Sequence, residues 1–194
     1  MNRFFLWVVA AIIPAVPATA AVTVFSSQPD WQSAMNAPTT QLTFQGIGPS
    51  GTFFQNQYAS LGVTDPEPND WIQFELGRWT LQSFGTSPYT ITLSFDSLIH
   101  AIGWTSPFDQ LATFYAGDQV VAANVLMVGD LSTWPFAGLV SDAAFDRVVI
   151  THPGSLHTVF AAVDDVWFET VPSPSTLALI GLSLLGAARR RRDR

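Results

Sequence analysis

Asp164 and Asp165 stand side by side in Val163-Asp164-Asp165-Val166-Trp167-Phe168. Two neighbouring carboxylates are the raw material of acid–base chemistry or of cation binding. On a regular strand successive side chains face opposite sides, so this pair would not share one pocket. Asp164 would stand with Val166 and Phe168, and Asp165 with Val163 and Trp167. The carboxylate on the apolar side then needs a partner, and Arg147 on another late apolar run is the expected one. A structural ion pair and a Ca²⁺ ligand set are both open readings of the pair.

Asp65-Pro66-Glu67-Pro68-Asn69-Asp70 gathers more oxygen-bearing side chains. Asp65, Glu67 and Asp70 are candidate Ca²⁺ ligands, since hard cations take several oxygens. The loop lacks the Asp-x-Asp-x-Asp spacing of an EF-hand, and a solvated, proline-stiffened loop is the other reading. His152 and His157 flank Pro153-Gly154-Ser155-Leu156, a turn sequence, but no third ligand is nearby and they read as surface histidines. His100 lies in an apolar run and reads as a core residue with one hydrogen bond. Six tryptophans occur between Val22 and Val171. Trp134, in Ser132-Thr133-Trp134-Pro135-Phe136, looks loop-borne and is the candidate sugar platform, because sugar recognition stacks rings on aromatic faces. The other five read as core.

Catalytic patterns are missing. There is no Gly-x-Ser-x-Gly elbow, no phosphate-binding glycine loop, and no lysine or cysteine for covalent chemistry. The chain therefore reads as a non-enzyme with no catalytic residues. A glycosidase needs only two suitably spaced carboxylates and stays open as an alternative. Without cysteine there is also no disulfide framework. Apolar residues make up 48% of the 194 positions, enough for a core without cross-links. Between Val22 and Val171 only Arg78 and Arg147 oppose fourteen Asp and Glu, a balance that repels phosphate backbones and excludes nucleic acid as a partner.

The two ends read as addresses. Arg3 precedes an apolar stretch from Phe4 to Val16, and Ala18-Thr19-Ala20 offers small residues where signal peptidase cuts, after Ala20 or Ala21. Thr176 to Ala188 carries no charge and is followed by Arg189, Arg190, Arg191 and Arg192, a stop-transfer arrangement. A full span needs about 20 apolar residues. Counted from Pro174 this one reaches fifteen, roughly 22 Å of helix. Such marginal anchoring suits a segment that is removed after recognition.

Val171-Pro172-Ser173-Pro174, the Ser-Thr-Leu-Ala-Leu run behind it and the arginine block together resemble a PEP-CTERM sorting signal. Ser173 stands where that family usually has Glu. The resemblance implies export through the inner membrane, a transient C-terminal anchor there, and recognition by exosortase. Release to the cell surface or an exopolysaccharide matrix would follow.

The elements that must position the central residues read as β. Runs rich in Val, Ile, Thr and aromatics recur between turn residues at Val22–Phe25, Gln41–Gln45, Trp71–Leu76, Trp79–Phe84, Tyr89–Phe95, Ile99–Thr105, Leu111–Ala116, Gln119–Leu126, Phe145–Thr151 and Val159–Glu169. Ala116-Gly117-Asp118-Gln119 reads as a tight hairpin, and Pro29–Asn36 as one short helix. The expectation is an all-β, two-sheet sandwich of jelly-roll type over 22–170. A signal helix over 1–21 precedes it, and a sorting tail with a short membrane helix over 171–194 follows. Phe44-Gln45-Gly46, Asn56-Gln57-Tyr58, Leu61-Gly62-Val63 and the runs at 145–150 and 163–168 resemble galactose-binding-like and carbohydrate-binding-module jelly rolls. That likeness implies a fold more than an activity; extracellular polysaccharide is a candidate partner, and no cofactor is expected beyond a candidate structural Ca²⁺.

Overall fold

The computed structural model describes residues 20–35, 37–65, 70–75, 77–84, 89–152 and 160–169. Their strands are β1 (Val22–Phe25), β2 (Thr39–Leu42), β3 (Thr52–Phe53), β4 (Val63–Thr64), β5 (Asp70–Glu75), β6 (Arg78–Phe84), β7 (Tyr89–Thr105), β8 (Gln110–Ala116), β9 (Gln119–Met127), β10 (Phe136–His152) and β11 (Phe160–Glu169). A single α-helix, α1 (Gln28–Ala34), and a 3-10 turn at Ala59–Leu61 complete them. The main path of antiparallel pairing runs β3-β5-β6-β11-β7-β10-β8-β9, with β1 added to β10, β2 to β11 and β4 to β7. The fold is all-β, as the alternation of apolar residues requires.

Two long strands turn this network into a sandwich. The first half of β7 pairs with the second half of β10 (Leu93 with Val148, Ile91 with Ile150). The second half of β7 pairs with the first half of β10 (Ile102 with Leu139). Register shifts between Val140 and Arg147 bend the ribbon where Asp96, Ser97 and Leu98 are exposed on β7. Each half then covers the same core, in which Leu42, Ile72 and Leu81 meet Ile91, Phe114 and Ile150, all fully buried. The sequence pattern divides β7 into two strands because Asp96-Ser97 interrupts the apolar alternation. The chain passes through that interruption without breaking, since a bend tolerates polar residues on its outer side.

A second, smaller core lies outside one sheet. Ser27 holds the N-cap position of α1 without a side-chain capping bond, and Pro29 sits in the first turn, where the missing N–H costs nothing. The helix buries Trp31 against Ala101 and Trp167, and the Trp31 indole N–H donates to the Leu139 carbonyl at 3.0 Å. Beneath it Gly103 and Gly138 are direct cross-strand partners. A Cβ on Gly138 would lie 2.7 Å from both the Phe136 ring and Trp31, so glycine is what lets these rings reach the sheet.

β11 also changes partners along its length. Phe160–Val163 pairs with β6, and Val166–Glu169 pairs with β2. Opposite β7, Asp164 pairs with Thr105 and Trp167 with Gly103, so β11 spends one residue more than β7 over this stretch. That is a β-bulge. Asp165 takes the left-handed conformation at φ +46°, a region that Asp and Asn enter more readily than most residues.

Candidate binding cleft

The bulge changes what Asp164 and Asp165 can do. Regular alternation would separate them, but both line one cleft with Thr43, Gln45, Phe74 and Trp79. Arg78 and Gly77 close its rim, and its volume is about 250 Å³. The expectation that the two carboxylates occupy different faces is thus corrected, because a bulge suspends the two-residue period on which it rested.

Asp164 is 7% exposed. Its partner is Arg78, with Nη1 to Oδ2 at 3.3 Å, and not Arg147. Arg147 instead lies over the Tyr115 ring at 4.5 Å and donates to the Gly117 carbonyl. The Asp165 backbone N–H also donates to Asp164 Oδ1 at 2.8 Å. Burial and then the charge of Asp165 raise the Asp164 carboxyl from 3.8 to about 6, against the opposing effects of that amide and of Arg78. Asp165 is more open and accepts from the Gln41 amide at 2.9 Å. On the inner side Tyr58 donates its hydroxyl to the Thr43 carbonyl, and burial followed by the Asp164 charge pushes its ionisation well up.

One wall of the cleft is aromatic. Phe74 and Trp79 are cross-strand partners with ring centroids 5.3 Å apart, and Phe74 is 51% exposed while Trp79 is half-buried. Periodicity places both on the face of Ile72 and Leu81 and so reads them as core. Phe74 lies outside that core at the open end of the β5–β6 ribbon, and Trp79 is partly buried against it. The signal available in the sequence was the Gly77-Arg78 turn beside them. An apolar wall facing carboxylate, guanidinium, amide and hydroxyl groups suits a ligand with one apolar face and many hydroxyls.

Trp134 is not the open platform that its loop-like sequence suggests. It is 7% exposed, and the Arg78 guanidinium lies 5.4 Å from its ring centroid. Its φ of +50° is fixed by a tight turn in which its N–H donates to the Asp130 carbonyl at 2.8 Å. The Asp130 carboxylate accepts from the Ser132 hydroxyl and N–H and from Thr133, which holds it below the usual carboxylate range. Trp134 therefore backs Arg78, which in turn holds Asp164.

Asp65 and Asp70 are both buried, and each is bonded through its backbone to the segment just past β3. The Asp65 N–H donates to the Gln55 carbonyl and the Phe54 N–H to the Asp70 carbonyl. Glu67 lies outside the described residues. Among the described residues no group of three or more His, Asp or Glu side chains could hold a metal. His100 is exposed rather than core, with Nδ1 3.2 Å from the Ser141 carbonyl oxygen, because the bend turns it outward. His152 is buried rather than superficial, stacked on Phe108 at 5.4 Å, and His157 lies outside the described residues.

Of the residues expected to direct processing, Ala20 and Ala21 are described. Ala20 N–H donates to the Val121 carbonyl, and the Ala21 carbonyl accepts from Asp142 N–H. Ala18, Val171, Pro172, Ser173, Pro174, Arg189, Arg190, Arg191 and Arg192 lie outside the described residues. No helix among the described residues is long and apolar enough to cross a membrane.

Residues 170–192 match the PEP-CTERM protein-sorting motif. A PEP-CTERM tail implies an exported surface protein, a transient membrane anchor and exosortase as the sorting partner. No curated protein matches the sequence. A solved structure of CBM86, a low-affinity xylan binding module from Roseburia intestinalis, is similar at 14% identity and a TM-score of 0.41. The match covers 68% of this chain and 95% of that one.

Proposed function

We propose that residues 22–170 form the mature body of an exosortase-sorted surface or matrix protein that binds a neutral extracellular polysaccharide without transforming it. Signal peptidase removes residues 1–20 or 1–21, the tail anchors the precursor in the inner membrane, and exosortase releases it. The observation that carries the binding reading is the Phe74–Trp79 wall, left open to solvent opposite Asp165, Gln45 and Thr43. A sugar ring laid on that wall would direct its edge hydroxyls to Asp165 and Arg78. Two carboxylates beside one arginine, in a body with two arginines and fourteen acids, disfavour an anionic polymer.

Binding to neutral glycans on an array, lost when Trp79 is changed to alanine and assayed with and without Ca²⁺, supports this reading. No binding in either condition removes it. A second reading has one observation in its favour: Asp164, which holds its proton to about pH 6 beside Asp165, resembles the acid of a glycosidase pair. Its tie to Arg78 argues for a structural role. Release of reducing sugar by the wild type, absent in Asp164→Asn, would establish hydrolysis instead.

A further inference from the structure

The sorting motif begins at residue 170, and β11 ends at Glu169. No slack separates the folded body from the signal that is read. Pro172 is three residues past Glu169, which limits it to about 10 Å from the end of the strand. That end is pinned, because the Glu169 carboxylate accepts the His100 backbone N–H at 2.6 Å and Glu169 pairs with Thr39 on β2. An enzyme that engages Pro172 must therefore approach whatever surface surrounds Glu169.

That surface has a defined character. A groove of about 300 Å³ opens there, lined by Leu61, Phe95, Ile99 and Phe168, with Asp96 and Glu169 on its edge. Leu61 is 45% exposed, and Leu98, in the adjoining bend of β7, is 51% exposed. The Asp96 N–H donates to the Gly62 carbonyl at 2.8 Å, which ties the 3-10 turn to the bend and makes the rim one unit.

Resting on the sorting reading, we propose that this rim is a docking surface for exosortase itself, which seats apolar side chains on Leu61 and Leu98 and a basic group near Asp96. The argument is the length of chain: native spacing brings the enzyme against the surface around Glu169, of which this rim is the part with exposed leucines. The two acids favour a protein with basic groups over an anionic lipid surface, which would repel them.

The test follows processing of the full chain by immunoblot in an exosortase-bearing host. The variants are Leu61→Asp with Leu98→Asp, each with and without a ten-residue Gly-Ser insert between Glu169 and Thr170. Thermal melting of the purified variants checks that the exposed substitutions leave the fold intact. The expected result is several-fold slower processing of the double variant at native spacing, and wild-type processing once the insert frees the body from the enzyme. Processing at the wild-type rate at native spacing overturns the proposal. So does equal slowing with the insert present, which would assign the leucines to lipid or to a second copy. Failure of the sorting reading is a different result: the parent chain unprocessed, or a Pro172→Ala, Pro174→Ala chain processed normally.

Discussion

Arg78, the first residue of β6, reaches the bulge of β11 and sets its Nη1 3.3 Å from Oδ2 of Asp164, while its other side covers Trp134. The pair is partly open, with Arg78 far more exposed than Asp164. Replacing Arg78 by methionine leaves a mostly buried carboxylate without its cation. The expected loss is about 1–3 kcal/mol at pH 7.5, between the values for exposed and fully buried pairs. Urea denaturation of the two proteins measures it, and a loss indistinguishable from zero would show that solvent already screens Asp164.

The same carboxyl gives the fold a pH dependence. Its value in the folded protein is raised, from 3.8 to about 6, so the folded state binds this proton more tightly than the unfolded chain. The contribution of Asp164 is therefore full below about pH 4 and is lost as the pH climbs through about 6. Asp164→Asn has no such proton. Its stability relative to wild type should rise between about pH 4 and pH 6 and then level off, as read from melting temperatures across that range. A difference that stays flat with pH would contradict the burial argument.

The glycine pair under α1 predicts a steric effect. Gly138→Ala drives a methyl to within 2.7 Å of Phe136 and Trp31, and overpacking of this kind costs about 1–3 kcal/mol. Trp31→Ala empties the small core and should cost about 3–5 kcal/mol. Chemical denaturation checks both. A neutral Gly138→Ala would mean that the helix can lift from the sheet without penalty.

Trp134 and Phe74 should separate stability from binding. Trp134→Ala removes the ring behind Arg78 and is expected to lower the melting temperature while reducing glycan affinity far less than loss of Phe74, because Asp164 still holds Arg78 at the cleft. Phe74→Ala should do the reverse, weakening binding about tenfold or more with little change in melting, while Trp79→Ala, which removes a ring packed against the core, should weaken binding and lower the melting temperature together. Paired melting and affinity measurements on the three variants decide between these patterns.

The sheet was legible where side chains alternate, and the site was not. Tyr89–Phe95 and the hairpin at Ala116–Gln119 follow directly from local pattern, with Gly117 supplying a φ of +57°. The first half of β10 lacks a local strand pattern because Gly138, opposite Gly103, makes room for Phe136 and Trp31, a non-local demand. The cleft depends on one inserted residue at Asp164-Asp165. A bulge has no composition of its own, yet it brought together two carboxylates that periodicity sets apart. Burial of Trp134 likewise depends on Arg78, 56 positions earlier in the chain. The sorting tail is the opposite case: its information is linear, and residues 170–192 match the motif by sequence alone.

Affinity electrophoresis of the full-length chain, processed in an exosortase-bearing host, through gels containing neutral polysaccharides tests the central claim most directly. The cleft predicts retardation by at least one neutral polysaccharide, abolished in the Phe74→Ala, Trp79→Ala double variant and retained in Trp134→Ala. Unchanged mobility across the panel with and without Ca²⁺, or retardation that survives loss of Phe74 and Trp79, would contradict it.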